Sequence, residues 1–154
     1  MKQSQSKALL LMNVGSPDDP SNSSVKKYLT EFLNDKRVVD LPFVLRKLLV
    51  NAIIIPFRVK KSTVLYRQLW TDKGSPLIYH SMDLKEKLQK KTDNQYDIFL
   101  GMRYGNPSYK TAIAQIKAKG YKEMIVLPLF PQFAMSTIET AIEAVKKEVK
   151  KQQC

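Results

Sequence analysis

Apolar residues occur along this chain in two patterns, short uninterrupted runs and longer segments with helical spacing. The runs at 8–14, 96–102 and 123–129 are bounded by turn residues, which is typical of buried strands. Helical spacing and capping residues predict helices over 24–34, 62–70, 77–91, 108–119 and 136–150, the last with Ser136 as its cap. Strands that alternate with helices predict an α/β fold with a parallel sheet and helices on both faces.

The segment FVLRKLLVNAIIIPFR, residues 43–58, is the most apolar part of the chain. Pro42 suits the first turn of a helix, and Pro56 is expected to end that helix. The apolar residues are not confined to one stripe, so this helix is either buried on all sides or has one face in a membrane interface or a partner. Burial is the simpler expectation. A basic cluster of Arg58, Lys60 and Lys61 follows directly and would suit an amphiphile that carries carboxylates.

The three predicted strands would make a small core for a chain of 154 residues. The chain also stops directly after a helix, in a lysine-rich tail. Both features predict half of a larger protein, or a subunit that needs a partner to cover its sheet.

Composition narrows the classes of partner. The formal net charge of +12 favours an anionic partner, although lysines that solvate helix surfaces explain much of it. No nucleic-acid-binding motif occurs, so no nucleic acid partner is expected. The only cysteine is Cys154, which excludes an internal disulfide and a cysteine-based metal cluster. Without a signal-peptide apolar region or a membrane-spanning apolar run, a cytoplasmic protein is expected.

Candidate chemistry lies in the loops that follow the three strands, at 13–17, 103–107 and 130–137, because ligands of open α/β sheets bind at the carboxyl ends of strands. These loops offer an arginine, a tyrosine, amides and hydroxyls, but no histidine, cysteine or carboxylate pair. His80 is the only histidine, and it is expected to be a surface or packing residue of a helix. No phosphate-binding glycine motif occurs. The residues alone therefore predict a basic α/β ligand-binding module, whole or incomplete.

Five motifs occur in order along the chain: LLLMNVGSPDDP, YLTEFLNDKRVVDLP, LYRQLWTDKGSPL, MRYGNPS and VLPLFPQFAMST. Together they closely resemble the amino-terminal half of ferrochelatase, the enzyme that inserts ferrous iron into a porphyrin in haem synthesis. The resemblance runs from Lys7 to about Val149. It implies that 1–154 is one of two similar Rossmann-like domains that enclose a porphyrin cleft, and that the carboxy-terminal catalytic half is absent.

The resemblance also implies roles for individual residues. The apolar segment 41–57 matches the lip over the porphyrin cleft, which in many family members touches the membrane. The active-site arginine of the family corresponds to Arg103, as a supporting residue. The full set of substrate-binding residues that the resemblance implies is Asn13, Val14, Arg58, Lys61, Tyr66, Ser75, Arg103, Tyr104, Ser136 and Thr137, with Arg58 and Lys61 meeting the porphyrin propionates.

Departures from the family pattern limit what this chain can do. Its third loop reads FPQFAMSTIE where the family often has YPQYSxSTTG, although Ser136 and Thr137 remain. The family's proton-abstracting histidine and its acidic partner belong to the second half, and His80 does not match that position. The resemblance thus implies no certain catalytic residue, no resident cofactor or metal, and an isolated chain that is inactive. Fe²⁺ and porphyrin are substrates of the complete enzyme. Two alternatives stay open: a non-catalytic porphyrin-binding or partner-docking module, and a half-size homodimeric chelatase.

Overall fold

The computed structural model describes residues 7–93 and 95–152. Within them, three strands are β1 (Lys7–Ser16), β2 (Tyr96–Gly105) and β3 (Met124–Pro128). The α-helices are α1 (Asn22–Leu33), α2 (Phe43–Leu48), α3 (Ile55–Leu69), α4 (Pro76–Lys91), α5 (Tyr109–Ala118) and α6 (Thr140–Gln152). Two stretches are π-helical, Leu49–Ile54 before α3 and Met135–Glu139 before α6.

The strands form one sheet of order β2-β1-β3. The strands β1 and β3 are parallel, with a register that runs from Ala8 opposite Met124 to Met12 opposite Pro128. The predicted parallel α/β fold is therefore confirmed. Contacts divide the chain into two compact units. The first contains residues up to Val14, His80–Arg103 and those from Pro107 onward, and the second contains Gly15–Tyr79 and Tyr104–Asn106.

The core of the first unit lies between the sheet and helices α5 and α6. Successive side chains of a strand point to opposite faces, so Ala8, Leu10 and Met12 share one face. All three are fully buried against residues of α5 and α6: Tyr109, Ala112, Ile113, Ile116, Ala141, Ala144 and Val145. Helix α4 is tied to β2 through Gln89, which donates to the carbonyl of Tyr96 (2.7 Å) and accepts from the N–H of Ile98 (2.8 Å).

The strand predicted over 123–129 is shorter than expected and is not buried. It lies at the edge of the sheet, and burial alternates along it because only one of its faces packs on the core. Ile125 and Leu127, on the other face, remain 45% and 44% exposed.

The second unit is built on the pair α1 and α3. The Ser21 hydroxyl caps α1 by accepting from the N–H of Ser24 (3.2 Å). The rings of Tyr28 in α1 and Tyr66 in α3 meet edge to face, 6.2 Å apart.

Two boundary predictions were wrong. Pro56 does not end a helix, because α2, the first π-helical stretch and α3 follow one another directly from Phe43 to Leu69. In the π-helical stretch the N–H of Ile55 bonds to the carbonyl of Val50, five residues back. Pro56, which has no N–H to donate, follows directly where this wider turn returns to α-helical bonding. Ser136 does not cap the last helix, since it lies inside the second π-helical stretch, whose flanking residue is Ala134.

The backbones of Gly105 and Ser16 lie close together, which gives a test of the packing of the second unit. Gly105 has a φ of +73°, and a Cβ placed on it would lie 2.6 Å from the carbonyl oxygen of Ser16. Gly120 has a similar φ of +79°, but a Cβ there would have no atom within 4 Å. Gly120→Ala should therefore cost only the left-handed backbone penalty, about 1–2 kcal/mol. Gly105→Ala should add an overpacking penalty of about 1–3 kcal/mol in the free energy of unfolding. Urea titration of both variants measures the difference, and equal losses would contradict the close contact.

Candidate functional site

The carboxyl ends of β1 and β3 lie side by side in the first unit. Met12 is opposite Pro128, and its carbonyl accepts from the N–H of Leu129 (2.7 Å). The predicted third loop, 130–137, therefore starts next to the end of β1. Within that loop, Ser136 and Thr137 are half-buried, and the Thr137 hydroxyl donates to the carbonyl of Ala134 (3.2 Å).

Arg103 lies near the carboxyl end of β2 and reaches the start of α6. Its Nε donates to the Oγ1 of Thr140 (2.9 Å), and its Cζ lies 5.8 Å from the centre of the Tyr109 ring. Thr140 is 2% exposed and comes three residues after the predicted loop. Arg103 is thus brought to the start of α6. The loops predicted at 13–17 and 103–107 were wrong for most of their length, because residues 13–16 lie in β1 and residues 103–105 lie in β2. Thr140 itself was missed, although it lies one helical turn after Ser136.

The side chain of Asn13 contacts helix α4. Its Oδ1 accepts from the N–H of Val14 (2.8 Å), and its Nδ2 donates to the Oγ of Ser81 in α4 (3.3 Å). Ser81 is buried. The sequence did not indicate a role for Ser81, because a single serine in a lysine-rich helix belongs to no recognisable functional motif. On β1, Asn13 alternates with Met12, so its side chain points away from the face that packs on α5 and α6.

A cavity of about 300 Å³ lies in the second unit, between α1 and α3. Arg58, Ser62 and Tyr66 follow each other at intervals of four residues along one side of α3 and line it. The remaining lining residues are aromatic or aliphatic: Tyr28, Leu29, Phe32, Leu65 and Leu69. This arrangement offers one cation, a hydroxyl and a phenol at an otherwise apolar wall. Lys61, on the same helix, is exposed and is not part of the lining.

The phenols of this cavity are held neutral. Burial raises the pKa of Tyr66, and a hydrogen bond from Tyr28 and the charge of Arg58 oppose that shift only in part. Burial also raises the pKa of Tyr28. Both side chains are therefore un-ionised hydrogen-bonding groups at neutral pH. Ser75 is also in the second unit; it is buried, and its carbonyl accepts from the N–H groups of Ile78 and Tyr79 at the start of α4 (3.0 and 3.1 Å).

The second-loop motif is anchored by carboxylates of its own unit. The hydroxyl of Tyr104, which is 2% exposed, donates to Asp35 (2.9 Å). The N–H of Gly105 donates to Glu31 (3.2 Å), and the amide of Asn106 donates to Asp18 (2.7 Å). These contacts hold the loop, and they make Tyr104 a buried anchor of the second unit.

The apolar lip, residues 41–57, is largely exposed. The side chains of Phe43, Val44 and Phe57 are 64%, 76% and 77% exposed, so the expectation that this segment is buried was wrong. The lip buries Val50 and Ile55 instead. Its Arg46 is buried too, and donates to the carbonyl of Leu41 (2.7 Å). Exposed apolar side chains are therefore concentrated in this one segment of the second unit.

Residues 7–93 and 95–152 contain neither a metal-binding cluster nor a membrane-spanning helix. No three histidine, cysteine or acidic side chains there are grouped so that they could hold a metal ion. No described helix combines the length and the apolar content needed to cross a bilayer. His80 is exposed on α4.

The raised pKa of Tyr66 predicts how stability changes at alkaline pH. A tyrosine whose pKa is higher in the folded state than the ordinary value of about 10 contributes its full stability below that pH and loses it as pH rises further. Tyr66→Phe should therefore flatten the decline of the unfolding free energy above pH 10. Leu65→Ala, which alters the same cavity without an ionisable group, should leave the slope of the decline unchanged. Urea titrations between pH 8 and 11 measure both slopes, and equal slopes for wild type and Tyr66→Phe would refute the assignment.

Comparison with known proteins covers almost the whole chain. The family model described as Ferrochelatase matches residues 6–154. A ferrochelatase of Legionella pneumophila (strain Paris) is 50% identical over 137 residues, which are 89% of this chain and 41% of that protein. The ferrochelatase of Legionella pneumophila strain Philadelphia 1 is 46% identical over 96% of this chain and 44% of its own length. A Coxiella burnetii (strain Dugway 5J108-111) ferrochelatase is 40% identical over 95% of this chain and 41% of its own length.

The chain thus spans less than half the length of the curated relatives that it matches. The family match extends over all three strands and the strand-end loops described above. The resemblance carried by the five motifs is confirmed, and the chain belongs to the ferrochelatase family.

Proposed function

We propose that this chain supplies the amino-terminal half of an enzyme that inserts Fe²⁺ into a porphyrin. The observation that carries the proposal is the family match over residues 6–154, at 50% identity to a ferrochelatase of which the chain covers 41%. In this proposal the chain contributes one wall of the porphyrin site, and a carboxy-terminal half is its partner.

The cavity of the second unit supports a role in substrate binding. A porphyrin is a flat apolar ring with carboxylate substituents, and α3 places the cation of Arg58 beside aromatic and aliphatic side chains. A guanidinium binds a carboxylate through paired hydrogen bonds. We assign Arg58 and Lys61 to the propionates, and Tyr66 and Ser75 to further polar contacts.

In the first unit, the proposal assigns porphyrin contacts to residues at the strand ends. These are Asn13, Val14, Arg103, Ser136 and Thr137. Tyr104 contributes indirectly, because its buried hydrogen bond to Asp35 holds the loop that follows Arg103.

The chemistry of insertion explains why this half should be inactive alone. When Fe²⁺ enters the ring, two pyrrole N–H bonds break and two protons must be accepted. A base suited to that work has a pKa near neutrality, as histidine does. The only histidine of this chain, His80, lies exposed on α4. We therefore assign the base to the carboxy-terminal half, and treat Fe²⁺ as a substrate with no resident cofactor in this chain.

A chimera tests this proposal directly. The matched amino-terminal region of the Legionella pneumophila (strain Paris) ferrochelatase is replaced by this chain, and iron insertion into porphyrin is followed by absorbance. We expect the chimera to insert iron, and we expect Arg103→Ala in the chimera to lower the rate. The isolated chain is expected to insert none.

The controls separate the alternatives. Glu86→Gln, at an exposed position of α4 outside the proposed site, should not change the rate of the chimera. A folded chimera that binds porphyrin tightly without turnover would favour the non-catalytic binding module. Iron insertion by the isolated chain would favour the half-size chelatase and overturn the assignment of the base.

The apolar lip supports a peripheral membrane contact by a cytoplasmic protein. Large apolar side chains are exposed beside a helix that carries Arg58, Lys60 and Lys61. Exposed apolar residues next to basic ones favour the interface of a bilayer with anionic lipids.

A vesicle assay tests the lip. A double variant, Val44→Asp with Phe57→Asp, should bind anionic vesicles at least about tenfold more weakly than wild type. Burying each of the two apolar side chains in the bilayer interface is worth about 1.5–3 kcal/mol. Met82→Asp combined with Leu84→Asp, at exposed apolar positions of α4, adds the same two charges as a matched control and should bind like wild type. Co-sedimentation measures vesicle binding by wild type, the lip variant and the control. Equal binding by all three proteins would exclude the lip as the membrane contact.

A further inference from the structure

Arg103 is held by two side chains that the family resemblance did not single out. We propose that Thr140 and Tyr109 are positioning residues, which fix the guanidinium of Arg103 in the orientation needed to bind porphyrin. The proposal deepens the function proposed above and rests on it for the identity of the ligand. All three residues belong to the first unit.

Thr140 is suited to fix the plane of the guanidinium. A free arginine side chain has about 2 kcal/mol of rotamer entropy, so its head group is poorly defined unless something holds it. The hydrogen bond from Nε to Oγ1 of Thr140 is 2.9 Å long. Thr140 is 2% exposed, and its backbone N–H bonds to carbonyls of the preceding π-helical turn, those of Met135 and Thr137. The acceptor is therefore immobile, and the bond constrains the arginine more than the threonine.

Tyr109 supports the guanidinium from a second helix. Its ring centre lies 5.8 Å from the Cζ of Arg103, within the range of a cation–π contact, and the residue is 8% exposed. Tyr109 begins α5, which is capped by the Ser108 hydroxyl accepting from the N–H of Lys110.

The sequence of β2 makes room for this tyrosine. A Cβ at Gly101 would lie 2.7 Å from the Cα of Tyr109 and 3.0 Å from its Cβ. Gly101 is two residues before Arg103 on β2, so both face the same side of the sheet. Because Gly101 has no side chain, the first residue of α5, Tyr109, packs directly against β2. The ring of Tyr109 then lies next to the guanidinium of Arg103.

The first test measures position without any ligand. In the full chain, the exchange of the Arg103 Hε proton with water is measured by ¹H–¹⁵N NMR. Thr140→Val keeps the shape of the side chain and removes the acceptor, so exchange should rise about tenfold, as expected for the loss of one hydrogen bond. Thr140→Ser keeps a hydroxyl and should retain slow exchange. Unchanged exchange in a folded Thr140→Val variant would overturn the proposal.

The second test asks whether positioning matters for binding. Porphyrin is titrated into the chimera described above, with the same substitutions, and followed by its absorbance band. Thr140→Val should weaken binding about three- to tenfold, the loss expected for about one hydrogen bond. Thr140→Ser should restore it to near wild type. Tyr109→Leu, which keeps an apolar core residue, should weaken binding in the same direction and provides a second variant if Thr140→Val does not fold.

The outcomes separate this inference from the function on which it rests. Faster exchange with unchanged porphyrin affinity would overturn Thr140 as a positioning residue. A folded chimera with the wild-type sequence of this chain that binds no porphyrin would overturn the proposed wall of the porphyrin site, and the NMR measurement would still decide whether Thr140 holds Arg103.

Discussion

The first unit depends on the burial of a single strand, β1. Ala8, Leu10, Leu11 and Met12 have no exposed surface, and β1 is hydrogen-bonded to β2 on one side and to β3 on the other. Because a shift of one residue would turn every side chain of the strand to the opposite face, this buried run sets the register of the sheet. The register in turn places Met12 opposite Pro128 and starts the third loop beside the end of β1. The positions of Asn13 and Leu129 follow from that constraint, since both come directly after the paired residues.

The sequence was a good guide wherever local pattern and tertiary environment agree. The helix predicted over 24–34 is Asn22–Leu33, and that predicted over 108–119 is Tyr109–Ala118, because their caps and apolar stripes are local features. The helix boundary at Pro56 failed for a tertiary reason. A change in hydrogen-bond register between Leu49 and Ile54 cannot be inferred from apolar spacing, and it allows the proline inside a continuous helix.

The region of the candidate site was predictable, but neither its exact element bounds nor its contacts were. The rule that ligands bind at the carboxyl ends of strands pointed to the end of β2, but Arg103 lies within that strand and not in the loop predicted at 103–107. The partner hydroxyl of Thr140 could not be found in the same way, because a threonine in the first turn of a helix usually serves only the helix. Exposure of the lip was likewise hidden, since an apolar run has the same sequence pattern in a core and on a contact surface.

The two π-helical stretches connect these observations. Such stretches are rare in proteins and occur frequently at functional sites, where they adjust the direction of the helix that follows. One contains Ser136 and Thr137 and ends at Glu139, directly before Thr140, whose hydroxyl accepts the hydrogen bond from Arg103. The other lies in the lip and leads into α3, so the exposed apolar residues and Arg58 are carried by one continuous helical segment. Within the second unit, the lip is therefore joined to Arg58 and Tyr66 by uninterrupted helical backbone.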